Sequence, residues 1–450
     1  MDVPTYQQLL LENQQLRERI AVLEKRLEEL ERSAKRQAAP FSKGPPKPDP
    51  KKPGRKKGMQ HGQHGHRPPP AQVEETLDAP LPSKCPDPNC GGDIVEDCTD
   101  TQYQAEIPRE PIHREFSIHC GHCHKCGKKV RGRHPLQTSA ATGAAQSQLG
   151  ADAQATIVDL NKRAGMSHGK IADTFLRAFG ISLTRGACAQ IILRAANILI
   201  PAYEMIKERI ILSHHLTPDE TGWRIGGYPA WLHCWVGDKG ATLYAIDPQR
   251  SADVLQKVIG IHWSGSMTHD GFSSYDRFED AVHQQCVDHA LRRARGLLEK
   301  HAGAACIFPR QVIELFTDSL SERDRLNLDN AADDRRGRIY EDYTQRLRDL
   351  TERCRANEQN NRFAKHLYHH APSWFLFLLD PTVPATNHRA EQALKTPIVN
   401  RKVWGGNRTL DGCHAQAVLC SVLQTCKNLA IDVFTYLSNA FRGAIGPIFA

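Results

Sequence analysis

Residues 210–247 read IILSHHLTPDETGWRIGGYPAWLHCWVGDKGATLYAID, and three strand-forming runs can be picked out of them. The apolar stretch around 210–216 leads into Thr217-Pro218-Asp219-Glu220-Thr221-Gly222-Trp223. Residues 230–236 alternate Trp231, His233 and Trp235 on one side with Leu232, Cys234 and Val236 on the other, the period of two expected of a strand. Residues 241–246 form a third such run. Working outward, 252–260 has helical spacing, and 265–268 reads as a fourth strand that stops at His269-Asp270-Gly271. A further helical stretch and a short strand near 283–287 complete a β-β-β-α-β-α-β order.

That order predicts a ribonuclease H-like core over 210–412, with an all-helical insertion at about 291–381. In the insertion Ile339, Tyr343, Leu347, Leu350 and Cys354 step by four, four, three and four, the signature of a long helix. Carboxylates at the strand ends carry the chemical interest. Like charges brought together are costly unless a cation offsets them, and two or three converging carboxylates suit Mg²⁺ or Mn²⁺, which prefer oxygen ligands. Asp219 and Asp270 are the first candidates, and Glu391, in Thr386-Asn-His-Arg-Ala-Glu-Gln-Ala-Leu-Lys395, is the third. With 51 acidic residues in the chain, spacing alone is weak support for any triple. Glu220, Asp276, Glu279 and Asp280 are read as helix caps or surface charges.

The chain has 450 residues, enough for two to four domains, with 40% hydrophobic and 24% charged residues. No run approaches the roughly 18 apolar residues of a membrane span, and the N-terminus lacks the order of a signal peptide, so a cytoplasmic location without membrane contact is expected. The 14 cysteines are then expected as reduced thiols or metal ligands. Of the net charge of +8, residues 41–70 alone carry six Lys, two Arg and one Asp.

Upstream of the core, residues 1–37 form one region. In it Tyr6, Leu9, Asn13, Leu16, Ile20, Leu23, Leu27, Leu30 and Ala34 alternate spacings of three and four. With Leu9, Leu16, Leu23 and Leu30 at d and Asn13 and Ile20 at a, this predicts a parallel dimeric coiled coil, against the alternative of an amphipathic helix on the protein's own core. Residues 38–82 are a Pro/Gly-rich linker in which Lys51, Lys52, Arg55, Lys56 and Lys57 are placed to neutralise DNA phosphates, or simply to solubilise a tether.

Residues 83–135 predict a zinc-binding module. Cys85 and Cys90 (C-x4-C) and Cys123 and Cys126 (C-x2-C) can close a tetrahedral thiolate shell for a structural Zn²⁺, with Cys98, Cys120, His119 and His122 as competing ligands. Lys128, Lys129, Arg131 and Arg133 follow as a basic, DNA-facing rim. Residues 146–209 open helical: Ser167 and Thr184 are placed to cap two helices separated by Gly180, resembling a helix-turn-helix or an ordinary bundle hairpin. Residues 413–450 are read as a C-terminal helical cap. The whole is thus expected to be a multidomain α+β/α/β chain.

The words around the acids are specific. Asp219-Glu220-Thr221-Gly222-Trp223, His269-Asp270-Gly271-Phe-Ser-Ser-Tyr275 and Thr386-Asn387-His-Arg-Ala-Glu391-Gln-Ala-Leu, followed by Arg401-Lys402-Val-Trp-Gly-Gly-Asn-Arg408-Thr, resemble the insertion-sequence-66 family of bacterial DDE transposases. The resemblance covers nearly the whole chain. It implies a DNA transposase that binds element ends and catalyses strand cleavage and transfer. It also implies that Asp219, Asp270 and Glu391 hold two Mg²⁺ or Mn²⁺ ions, that Cys85, Cys90, Cys123 and Cys126 hold Zn²⁺, and that Arg401, Lys402 and Arg408 supply cations for DNA. Element-end and target DNA, a second copy of the chain and accessory proteins are the implied partners. Cys286-Val-Asp-His289 looks like the family's C-x2-H signature, with a structural or DNA-contacting role implied. His388 and Gln392 depart from the family's more frequent Asn and Arg. Two other readings share these features: a zinc-dependent DNA-binding regulator with an inactive core, and a nuclease of the same fold.

Overall fold

The computed structural model describes residues 14, 16, 18–20, 23, 70–74, 76–78, 80, 82, 83, 86, 87, 89–93, 101, 103, 110–138, 148–260, 262–353 and 357–449. It divides into two compact units, Met1–Pro108 and Arg109–Ala450. In the first unit Gln14, Leu16, Glu18, Arg19, Ile20 and Leu23 are helical and exposed. Most of the heptad seam, the basic run of Lys51, Lys52, Arg55, Lys56 and Lys57, and Cys85 lie outside the described residues.

The second unit opens with a short antiparallel hairpin, β1 (Cys120–His122) and β2 (Lys129–Arg131). Four helices follow: α1 (Ala151–Lys162), α2 (His168–Phe179), α3 (Arg185–Ile198) and α4 (Ile200–Ile211). The Ser167 hydroxyl accepts the Lys170 N–H and the Thr184 hydroxyl accepts the Ala187 N–H, while Gly180 closes α2 at φ 68°. Each cap satisfies a helix-end group that would otherwise lack a partner.

Five strands form one mixed sheet: β3 (His215–Ile225), β4 (Tyr228–Val236), β5 (Thr242–Asp247), β6 (Ser266–His269) and β7 (Val282–Gln285), in the spatial order β5-β4-β3-β6-β7. β3 pairs antiparallel with β4 and parallel with β6, and β6 pairs parallel with β7. Helix α5 (Ala252–Ile259) connects β5 to β6. Two expectations are corrected. The first strand begins at His215 rather than near 210, because Ile206 and Ile210 belong to the buried face of α4. It also runs on to Ile225, so Asp219 sits within the strand, three residues past Leu216, where the pairing with β6 ends.

No helix stands between β6 and β7, where the sequence order expected one; a single 3₁₀ turn, Tyr275–Arg277, is found there. Phe272, Tyr275, Phe278 and Ala281 are three apart, and the N–H of each of the last three bonds the carbonyl three residues back (Tyr275 to Phe272, Phe278 to Tyr275, Ala281 to Phe278). Tyr275 and Phe278 are buried by this winding. A spacing of three without intervening fours fits 3₁₀ geometry better than an α-helix.

After β7 come α6 (Val287–Lys300), α7 (Ile307–Leu328), α8 (Asp333–Glu352), α9 (Glu358–His369) and the short α10 (Leu376–Leu379). The chain then forms α11 (His388–Trp404), α12 (Leu410–Asn428) and α13 (Val433–Arg442). Of the heptad-like residues read in α8, Cys354 lies outside the described residues. Helices α6 to α10 have a core of their own, around Leu291, Phe316, Phe363 and Phe375. One face of the sheet packs on the N-terminal and C-terminal helices through Leu216, Trp235 and Leu243. The other face receives α11 through Ala390, Ala393 and Leu394 against Trp223, Leu232 and Cys234.

The free edge of the sheet is closed by side chains. Thr425 and Ser421 of α12 accept the N–H groups of Thr242 (3.1 Å) and Tyr244 (2.9 Å) on β5. These bonds occupy an edge that could otherwise pair with another chain. Among the described residues no single helix is long and apolar enough to cross a membrane.

Candidate active site

Side chains alternate across a strand, so Asp219 faces α11 with Thr221 and Trp223, while Glu220 faces the opposite layer. Asp219 is opposite Cys234 in the register. Its carboxylate is only partly accessible, and its pKa is pushed up to about 7 by burial and then by the negative charges of Glu220, Asp270 and Glu391. One bond works the other way, the Glu220 N–H donating to Asp219 Oδ1 at 2.9 Å. Three acids that are far apart in the chain therefore share one electrostatic field.

Asp270 follows β6 directly, and its Oδ1 accepts the Phe272 N–H at 3.0 Å. The turn needs Gly271 (φ 87°), where a Cβ would stand 2.8 Å from Gln285 Oε1. Behind it lies a histidine pair. The Gly271 N–H donates to His269 Nδ1 (3.1 Å), which leaves Nε2 of a neutral ring to donate to His283 Nδ1 (3.0 Å). His283 Nε2 then donates to the Phe278 carbonyl at 3.0 Å. Burial, followed by the neighbouring His283 and His370, pushes His269 down to about 3, so the ring stays neutral and the chain of bonds is maintained.

Glu391 lies in the first turn of α11. Arg292 of α6 donates through Nη2 to Glu391 Oε1 at 2.7 Å and through Nε to Asp288 at 2.8 Å. His289 Nε2 is 3.8 Å from the same Glu391 oxygen. His289 is lowered by burial and by Arg292, against the raising influence of Asp270 and Glu391. Cys286 is buried, and its Sγ accepts the Asn387 N–H at 3.4 Å. Its backbone N–H bonds the His269 carbonyl (2.8 Å), and the Val287 N–H bonds that of Ala385 (3.0 Å). Cys286 thus ties the end of β6, the start of α6 and the approach to α11 together. His388 and Gln392 are exposed and bond each other at 3.0 Å.

Two features were not anticipated from sequence. Glu220 is neither a cap nor a surface charge: its side chain is 2% exposed, accepts from Arg250 Nε at 2.8 Å and takes the Tyr275 hydroxyl at 2.6 Å. Arg250 in turn lies 3.9 Å over the Phe272 ring and 4.7 Å over Trp231. The only sequence hint was that Glu220 lies in a strand whose alternation turns it to the core face. The second feature is a set of polar atoms without partners beside the acids: both side-chain polar atoms of buried Asn387, and Nε2 of buried Gln285, have no hydrogen-bond partner. Asp276, Glu279 and Asp280 are exposed, in line with their reading as surface charges.

Among the described residues, no group of three or more His, Cys, Asp or Glu side chains is arranged to hold a metal ion. Asp219 feels the charges of Asp270 and Glu391, and Arg292 occupies Glu391. The negative charge of the site and its carboxylate oxygens suit a hard cation. Of the thiols, Cys123 and Cys126 sit at the hairpin turn. The Gly127 N–H bonds the Cys123 carbonyl at 2.8 Å and the Cys123 N–H bonds the Lys128 carbonyl at 2.9 Å. The amides of Cys126 and then Lys125 lower the Cys123 pKa, favouring thiolate.

Lys128, Lys129, Arg131 and Arg133 are exposed on and after the hairpin, as are Lys402 and Arg408 at the end of α11 and in the loop that follows. Arg401 is half-buried, with Nη1 3.5 Å from Thr221 Oγ1, two residues along the strand from Asp219. Burial and then the charge of Arg224 lower its pKa.

The model of the family described as "Transposase IS66 family" matches residues 146–415, more than half of the chain, including all of β3 to β7 and α11. No curated protein matches. Transposases bind DNA and transfer it. By the extent of that match, the chain belongs to the IS66 family of transposases.

Proposed function

We propose that this chain is a DDE transposase, with a ribonuclease H-like core, that binds the ends of its element, cuts them and joins them to target DNA. The observation that carries this is that Asp270 and Glu391, distant in the chain, both bear on Asp219, whose pKa is raised to about 7 by burial and then by the charges of Glu220, Asp270 and Glu391. The strand order supports the fold: three antiparallel strands, with two more added in parallel beside the first. Asp219, Asp270 and Glu391 would hold two Mg²⁺ or Mn²⁺ ions. When bound, such ions neutralise the phosphate and activate the attacking oxygen of water in cleavage or of the 3′ hydroxyl in joining.

The chain's own residues do the rest. Arg401, Lys402 and Arg408 engage phosphates and set the DNA across β3. The His269–His283 pair holds the Asp270 turn, and Cys286 keeps α6 and α11 in register. Both carboxylates and cations act without a covalent bond between protein and DNA. Cys85, Cys90, Cys123 and Cys126 hold a structural Zn²⁺ in this reading, beside the basic rim of Lys128, Lys129, Arg131 and Arg133. Residues 1–37 pair two subunits, and the linker lysines and Arg55 add sequence-blind DNA affinity.

Purified protein, an oligonucleotide carrying an element end and Mg²⁺ provide the test. Asp219→Asn, Asp270→Asn and Glu391→Gln should each abolish cleavage and leave end binding in a gel-shift assay within about twofold of the parent. Cleavage by the Asp270→Asn protein would remove the triad. Cleavage of DNA lacking element ends, without strand transfer, would favour a nuclease; binding without any cleavage in Mg²⁺ or Mn²⁺ would favour a regulator.

A further inference from the structure

The Glu391 carboxylate already has a cation. Arg292 Nη2 is 2.7 Å from Oε1, and the guanidinium is anchored on its other side by Asp288, 2.8 Å away and one helical turn earlier. The junction that presents the two partners is well tied: the Val287 N–H bonds the Ala385 carbonyl and the Asn387 N–H bonds Cys286 Sγ. Arg292 therefore reaches Glu391 from the helix that starts where β7 ends, across the gap to α11. Its anchor means that it can leave Glu391 without losing its other carboxylate. A carboxylate oxygen held by a guanidinium cannot at the same time offer that lone pair to a metal.

We propose that Arg292 is a positioning residue that stands in for a divalent ion at Glu391, holding this carboxylate in the ion-free protein and competing with the ion for it. The idea rests on the triad reading above. Ion entry then requires the guanidinium to swing away on its Asp288 tether, which frees a cation beside the phosphate just as the carboxylates become engaged.

Mn²⁺ binding by the full-length protein, measured by calorimetry without DNA, tests this. Both Arg292 and Glu391 are partly exposed, so the pair is weak, and its removal in Arg292→Ala should tighten Mn²⁺ binding by about fivefold. Arg292→Lys, which restores a cation, should return the affinity to within about twofold of the parent. In the Glu391→Gln background the Arg292→Ala effect should vanish. If Mn²⁺ binds and is lost in Asp219→Ala, yet Arg292→Ala binds it no more tightly, Arg292 does not compete and the proposal fails while the triad stands. If Asp219→Ala leaves Mn²⁺ binding untouched, the triad reading itself fails and takes this inference with it.

Discussion

Replacing Asp219 by Asn should make the metal-free protein more stable while ending catalysis. The rise of the Asp219 pKa from 3.8 to about 7, at roughly 1.4 kcal/mol per pH unit, corresponds to about 4 kcal/mol of penalty for holding the ionised form in the fold. Partial solvent access reduces this, so a gain of about 2–3 kcal/mol is expected for Asp219→Asn at pH 8. The sign follows from linkage. The folded protein binds this proton more tightly than the unfolded chain, so there is no penalty below about pH 4. It grows through pH 4–7 and is complete above 7. Urea unfolding in EDTA, run from pH 4 to 8, should therefore show the two proteins equally stable at the acid end and a gap opening as pH rises. Adding Mg²⁺ should stabilise only the parent and narrow the gap. A gap that does not change with pH, or a variant less stable than the parent at pH 8, would refute the burial of Asp219 among like charges.

Arg250→Ala strands the buried Glu220 carboxylate with only the Tyr275 hydroxyl. It should cost about 2–4 kcal/mol in urea unfolding, and a good part should return when Glu220→Gln is added; an unchanged midpoint would show that the pair is not structural. Lys162 is buried and held to a pKa of about 8, chiefly by desolvation. Its folded-state pKa lies below the unfolded one, so a penalty of about 3 kcal/mol is present below pH 8 and lifts as pH rises to about 10.5. Stability of the parent should climb across that window, and Lys162→Met should lack the climb; parallel curves for the two would contradict it.

Much of the architecture could be read from local chemistry. The period-two alternation of Trp231–Val236 marks β4, Ser167, Gly180 and Thr184 mark the limits of α2 and α3, and the apolar steps of Ile339 to Leu350 mark α8. Such signals survive because each depends on residues within one or two turns. The words around Asp219, Asp270 and Glu391 also carry the family. Errors arose where local patterns admit two answers. Ile206 and Ile210 suit helix or strand equally, and only their packing in the first core shows them helical. Phe272, Tyr275 and Phe278 stand three apart, the spacing that the 3₁₀ winding follows.

Most of the elements and their order are written in the sequence, because capping and periodicity are properties of neighbouring residues. The tertiary structure alone decided which charges meet. Glu220 finds Arg250 thirty residues away, and Glu391 finds Arg292 ninety-nine residues away. Ser421 and Thr425 close the sheet edge from α12. Burial and Coulomb energy depend on distances in space, and those are fixed only when the sheet, α6 and α11 have packed.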